Sequence, residues 1–197
     1  MRKPTPLTAR LTAALIALLL SNPALAHPGH DATGSGLLAG LAHPLLGLDH
    51  LVAMLAVGVW ARQLGGRAQW QLPLGFVALM IVGALAARSG YALPAIETGI
   101  AASLIVLGLA TALMLRLPPA AASTLVAVFA VFHGAAHGSE LPIGISPSVF
   151  FIGFVLSTAL LQGLGMIASA QLLRPAPLLL RAGGLASCGF GLMLACA

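Results

Sequence analysis

From residue 36 to residue 196 the sequence is a succession of apolar runs. Each is close to the roughly 20 residues that a helix needs to cross the hydrocarbon of a bilayer, and each is separated from the next by a short break rich in arginine, glycine or proline. About six runs are expected, near 36 to 61, 71 to 88, 92 to 115, 120 to 138, 148 to 172 and 177 to 196. In lipid every backbone polar group must be satisfied within the protein, so runs of this length are read as helices. Hydrophobic residues make up 59% of the chain and charged residues 7%, and the mean hydropathy is +1.04, outside the balance of a soluble domain. The expected fold class is therefore all-α: a polytopic membrane bundle of about six transmembrane helices occupying 36–197. The short breaks predict that consecutive helices run as antiparallel neighbours.

Ahead of this bundle, Arg2, Lys3 and Arg10 precede the apolar run Leu11 to Leu20 and the small-residue site Ala24-Leu25-Ala26. That order is the pattern of a cleavable signal peptide over 1–26, too short to span a bilayer. Cleavage would leave a mature amine on His27, followed by Pro28-Gly29-His30-Asp31. Basic residues in short loops mark the cytoplasmic side. Arg62, Arg67, Arg116, Arg174 and Arg181 fall on one side of the expected topology and Arg88 on the other, which agrees with a mature N-terminus outside the cytoplasm. The net charge of +5 does not point to nucleic acid, because the cations are scattered singly rather than gathered into a patch.

Ionisable groups in hydrocarbon are costly, so where they occur within spans they mark an interior or a pathway. The first run holds His43-Pro44-Leu45-Leu46-Gly47-Leu48-Asp49-His50. On one continuous helix His43 and His50 are two turns apart on a single face. The fourth run holds Phe132-His133-Gly134-Ala135-Ala136-His137-Gly138-Ser139-Glu140, and the spacing of His133, His137 and Glu140 puts them on one stripe. A single histidine in a membrane helix is ordinarily a hydrogen-bonded packing residue. Two pairs on two helices, with Asp49 and Glu140, read instead as ligands for a divalent transition metal, with Gly134 and Gly138 leaving room for it. Glu97 in the third run is a further candidate, as a proton or metal relay or as a neutral helix anchor.

These two segments resemble the signatures of the HupE/UreJ family of nickel and cobalt permeases. The first signature is a histidine, five residues, then Asp-His; the second is Phe-His-Gly-x-Ala-His-Gly-x-Glu. Both match without substitution, at His43, Asp49, His50, His133, His137 and Glu140, and the likeness runs the length of the chain, including a mature end beginning His-Pro-Gly-His. The resemblance implies import of Ni2+, with Co2+ as the alternative cargo, across the bacterial inner membrane for metalloenzymes such as hydrogenase or urease. The metal is then substrate, with no permanently bound cofactor. Lipid is the other partner, and homo-oligomerisation stays open.

On this reading His27, His30 and Asp31 capture the ion outside, and Glu140 stands near the outer mouth. No Gly-x4-Gly-Lys-Ser/Thr loop occurs, so ATP hydrolysis of that type is not expected. Two other classes remain open at this point. One is an intramembrane zinc hydrolase, for which the His-Glu-x-x-His signature is missing, Gly134 standing in place of its glutamate. The other is a bis-histidine haem b carrier, in whose pocket Asp49 and Glu140 would have no place.

Overall fold

A computed structural model describes residues 36–139 and 144–197. The expected signal peptide, the segment 27–35 with His27, His30 and Asp31, and Glu140 lie outside the described residues. The described residues form α1 (Gly36–Leu46), α2 (Leu48–Leu64), α3 (Ala68–Arg88), α4 (Ile96–Ala112), α5 (Pro119–Ser139), α6 (Pro147–Leu172) and α7 (Pro177–Ala195).

The all-α class holds, but the spans differ from the expected six in two places. Four helices, α3, α5, α6 and α7, are each long and apolar enough to cross a membrane, and α1 with α2 qualifies as a fifth only when the two are taken together. The first expected run is not one helix: it bends by 83° between α1 and α2. Pro44 lacks the N–H that a continuing helix would use, and three residues later Gly47 adopts an extended backbone with φ −92° and ψ 110°. The helix restarts at Leu48, with Asp49 in its first turn, where a carboxylate favours the unpaired N–H groups. The third expected run is also shorter than its hydropathy suggests. Its helix begins only after Pro94 and a left-handed Ala95 (φ 55°) and ends before a left-handed Met114 (φ 52°). At 17 residues α4 is about 25 Å long, short of a roughly 30 Å hydrocarbon core.

Packing follows the small residues rather than the chain order. The expectation that consecutive helices would be the neighbours is corrected by the most extensive pairing, which joins α3 to α5, followed by α4 with α7 and by α6 with both α1 and α2. Glycine explains the choice. A side chain on Gly134 would overlap the Met80 carbonyl, and one on Gly138 would overlap that of Ala84, so α3 and α5 lie backbone to backbone and run in the same direction. Gly108 and Gly184 meet in the same way between α4 and α7. Close approach of this kind is how helices associate in lipid, where apolar surface alone gives no preference for protein over solvent.

Helix α2 occupies the centre, burying Met54, Val57, Trp60 and Ala61 completely. The outer helices turn apolar faces outward: Ile152, Leu156, Leu160 and Leu164 form an exposed stripe along α6, a face suited to lipid. At the far end of α2 its last carbonyls are closed by a cation, Arg116 donating to the oxygen of Gln63 at 2.7 Å. Beside it the Trp60 indole donates to the carbonyl of Leu115 at 3.1 Å. These contacts bring the ends of α2 and α4 together at the arginine-rich side.

Candidate functional site

The bend at Gly47 changes how the histidines meet. His43 is on α1 and His50 on α2, so the two do not share a helix face as the uninterrupted run predicts. Their rings converge instead on α5. The ring centroid of His43 lies 4.7 Å from that of His137, His137 lies 4.2 Å from His50, and His50 lies 4.8 Å from His133. Four imidazoles from three helices thus form one continuous row in the order His43, His137, His50, His133. His43 is half-buried, whereas His50 is 8%, His137 2% and His133 0% exposed, so the row runs from an accessible end into the core. Because His133 and His137 are one helical turn apart, about 6 Å along α5, each leaves space for a ring from the opposite side.

Aromatic side chains wall the row. Phe154 lies 4.2 Å from His137, Phe150 lies 5.4 Å from His43, and Phe76 lies 5.7 Å from His133. Gly134 and Gly138 do not enlarge the site, contrary to the expectation above: their missing side chains are taken up by the backbone of α3. Their contribution is to hold α5 at the depth that places the histidines.

Two of the rings are oriented by neighbours. Asp49 Oδ1 is 2.8 Å from His50 Nδ1 and also accepts from the His50 backbone N–H at 2.8 Å. With the carboxylate ionised, Nδ1 carries the proton and Nε2 is left as the lone-pair nitrogen. Gly47 leaves room for that pairing, since a Cβ there would stand 3.0 Å from the carboxylate and 3.1 Å from Nδ1 and would crowd both. His133 Nε2 is 2.9 Å from Ser103 Oγ on α4. Four ring nitrogens, His50 Nε2, His133 Nδ1 and both of His137, are buried with no hydrogen-bond partner among the described residues. Buried polar atoms are ordinarily paired, and unpartnered imidazole nitrogens are the donors a divalent nickel, cobalt or zinc ion takes. Among the described residues no group of three or more His, Cys, Asp or Glu side chains is placed to hold a metal ion. The arrangement is a row of adjacent imidazoles instead.

Glu97 is exposed in the first turn of α4. It stands at a helix end rather than in mid-span, so the burial that made it a candidate relay is absent. Sequence reasoning missed two polar residues. Ser103, fully buried, could have been suspected from its place as a lone hydroxyl in an apolar helix, a weak signal because serine commonly serves as interhelical glue. Gln162 on α6 is 1% exposed, and neither of its amide atoms has a partner among the described residues. Its backbone packs on Gly58, eight residues and so about 12 Å along α2 from His50.

The sequence model of the family described as HupE / UreJ protein matches residues 15–194. The chain is 43% identical over 157 residues to the protein HupE of Rhizobium leguminosarum bv. viciae, a match covering 80% of this chain and 81% of that relative. No solved structure matches it. With a family match over nearly its whole length and the histidines of both signatures brought together in one row, the chain belongs to the HupE/UreJ family.

Proposed function

We propose that this protein is a secondary, ATP-independent permease that imports Ni2+, with Co2+ as the alternative cargo, across the bacterial inner membrane to supply metalloenzymes such as hydrogenase or urease. The observation that carries this reading is the row of four touching imidazoles. It leads from a half-buried ring to a fully buried one, with nitrogens on His137, His50 and His133 that have no hydrogen-bond partner among the described residues. An ion would move by exchanging one or two imidazoles at a time, His43 to His137 to His50 to His133. Conduction requires sites strong enough to strip water and weak enough to release the ion, which a series of adjacent ligands provides better than one tight cage. Membership of the HupE/UreJ family favours this reading over a zinc hydrolase or a haem carrier.

The ion enters from outside the cytoplasm. His27, its free amine, His30 and Asp31 capture it, Glu140 adds negative charge at the mouth, and Asp49 offsets part of the ion's charge beside His50. The inward end is the side of Arg62, Arg67, Arg116 and Arg174, in keeping with the excess of cations in short cytoplasmic loops. An inside-negative potential contributes about 2.3 kcal/mol per charge per 100 mV, and twice that for a divalent ion, so no ATP is needed. Neutral imidazole is the ligand form, so acid competes with the metal.

Reconstitution tests the reading. The purified chain in lipid vesicles, with an inside-negative potassium diffusion potential, is expected to accumulate radioactive nickel without ATP, and cobalt is expected to compete. Vesicles that take up nickel no faster than protein-free ones, at verified protein content, would overturn it.

A further inference from the structure

Ser103 lies on α4, outside both histidine signatures, and is fully buried. Its hydroxyl makes two contacts: 2.6 Å to the carbonyl oxygen of Ile100 and 2.9 Å to His133 Nε2. A hydroxyl has one hydrogen to donate, and a carbonyl can only accept. The Ser103 proton is therefore committed to Ile100, and the contact to His133 is made only if the imidazole donates. That assigns the proton of His133 to Nε2 and leaves the lone pair on Nδ1, the nitrogen that has no partner among the described residues. Turning the ring over would put a carbon against Ser103 and lose the bond, so the same contact fixes both ring orientation and tautomer.

We propose that Ser103 is a positioning residue of the metal path, fixing the tautomer of His133 so that its Nδ1 is presented to the ion. The proposal rests on the reading of His133 as a metal ligand. Histidines that bind metals characteristically donate their second N–H to an oxygen that sets tautomer and orientation. His50 has that oxygen in Asp49 and His133 has it in Ser103, and the two partners act on opposite ring nitrogens. His50 consequently offers Nε2 and His133 offers Nδ1, the pair of unpartnered nitrogens flanking the last step of the row. A neutral hydroxyl suits this deepest position, because it orients the ring without adding an anion that would hold the ion there.

The test combines transport with a direct reading of the proton. Full-length protein carrying nitrogen-15 histidine, in lipid, is examined by NMR, with His133→Gln used to assign the His133 signals. Wild type is expected to show His133 protonated at Nε2, Ser103→Ala to show a mixture or the opposite tautomer, and Ser103→Thr, which keeps the hydroxyl, to resemble wild type. In nickel uptake at equal membrane level, Ser103→Ala is expected to raise KM by about tenfold or more, with Ser103→Thr restoring it, as for other partners of metal-bound histidines. A His133 protonated at Nδ1 in wild type overturns the proposal, as does a Ser103→Ala KM within about twofold of wild type, well below the effect such partners carry. Equal loss of uptake in Ser103→Ala and Ser103→Thr with the wild-type tautomer in both also overturns it, since that is a packing effect. If His133→Ala transports like wild type, the ligand reading of His133 has failed, and the tautomer measurement still decides separately whether Ser103 sets the ring.

Discussion

The imidazoles of His50 on α2 and His137 on α5 stand with ring centroids 4.2 Å apart, and they link the His43–His137 pair to the His50–His133 pair in one row. Without this contact the row would fall into two separate pairs, His43 with His137 and His50 with His133. With it, an ion bound by either ring is already next to the other, which is the geometry a relay needs.

The support beneath His50 predicts a graded effect. Asp49→Asn keeps an acceptor for Nδ1 but removes the charge, and Gly47→Ala pushes a methyl to within 3.0 Å of the carboxylate and 3.1 Å of the ring nitrogen. Both are expected to weaken nickel affinity by about 10- to 100-fold while leaving the protein folded. The concentration dependence of uptake at matched protein level measures this. An unchanged KM in both variants would show that the Asp49–His50 pair does not tune the path.

The α3–α5 contact predicts a stability effect of defined sign. Gly134→Ala places a methyl on the Met80 carbonyl and is expected to cost about 1–3 kcal/mol through overpacking. Gly183→Ala meets nothing within 4 Å and is expected to be neutral or to stabilise by about 0.5–1 kcal/mol through helix propensity. Thermal unfolding of the two variants in detergent separates them, and a Gly134→Ala variant as stable as wild type would contradict the packing described here.

Gln162 gives a prediction in which stability and function move in opposite directions. Its amide is buried and has no partner among the described residues, so Gln162→Leu is expected to stabilise the fold by about 1–2 kcal/mol, the cost of an unmade hydrogen bond. If the path continues from the histidines toward the arginine-rich end, the same substitution slows uptake. A variant that is more stable and transports normally would remove Gln162 from the path.

Orientation is checked with cysteines. Both native cysteines, Cys188 and Cys196, are free thiols, and replacing them by alanine clears the background. A membrane-impermeant maleimide added to intact spheroplasts is expected to label Ser146→Cys, and to label Ala176→Cys only after the membrane is opened. The reverse pattern would invert the direction of the proposed path.

Much of this architecture is legible from residue patterns, and the exceptions have physical causes. The expected runs near 71 to 88, 120 to 138, 148 to 172 and 177 to 196 correspond to α3, α5, α6 and α7 within a few residues, because hydropathy reports length and burial in lipid directly. The break at Gly47 escapes hydropathy, since one glycine does not interrupt an apolar run, although Pro44 hinted at it. The pairing of His133 with His137 follows from helical period alone. The interleaving of His43 and His50 around His137 does not, because it depends on the 83° bend and on how closely Gly134 lets α5 settle on α3. Ser103 carries only a weak signal for a related reason: its meaning comes from a contact across 30 residues of sequence.

The most direct test of the central claim is radioactive nickel uptake by cells expressing His50→Ala or His137→Ala, the two middle members of the row, beside wild type at equal membrane level and with cobalt and zinc as competitors. Either substitution breaks the row at its 4.2 Å contact, so each alone is expected to reduce uptake to that of cells lacking the protein. Removing both is then expected to do no further harm. Uptake indifferent to both substitutions would contradict a path through these histidines.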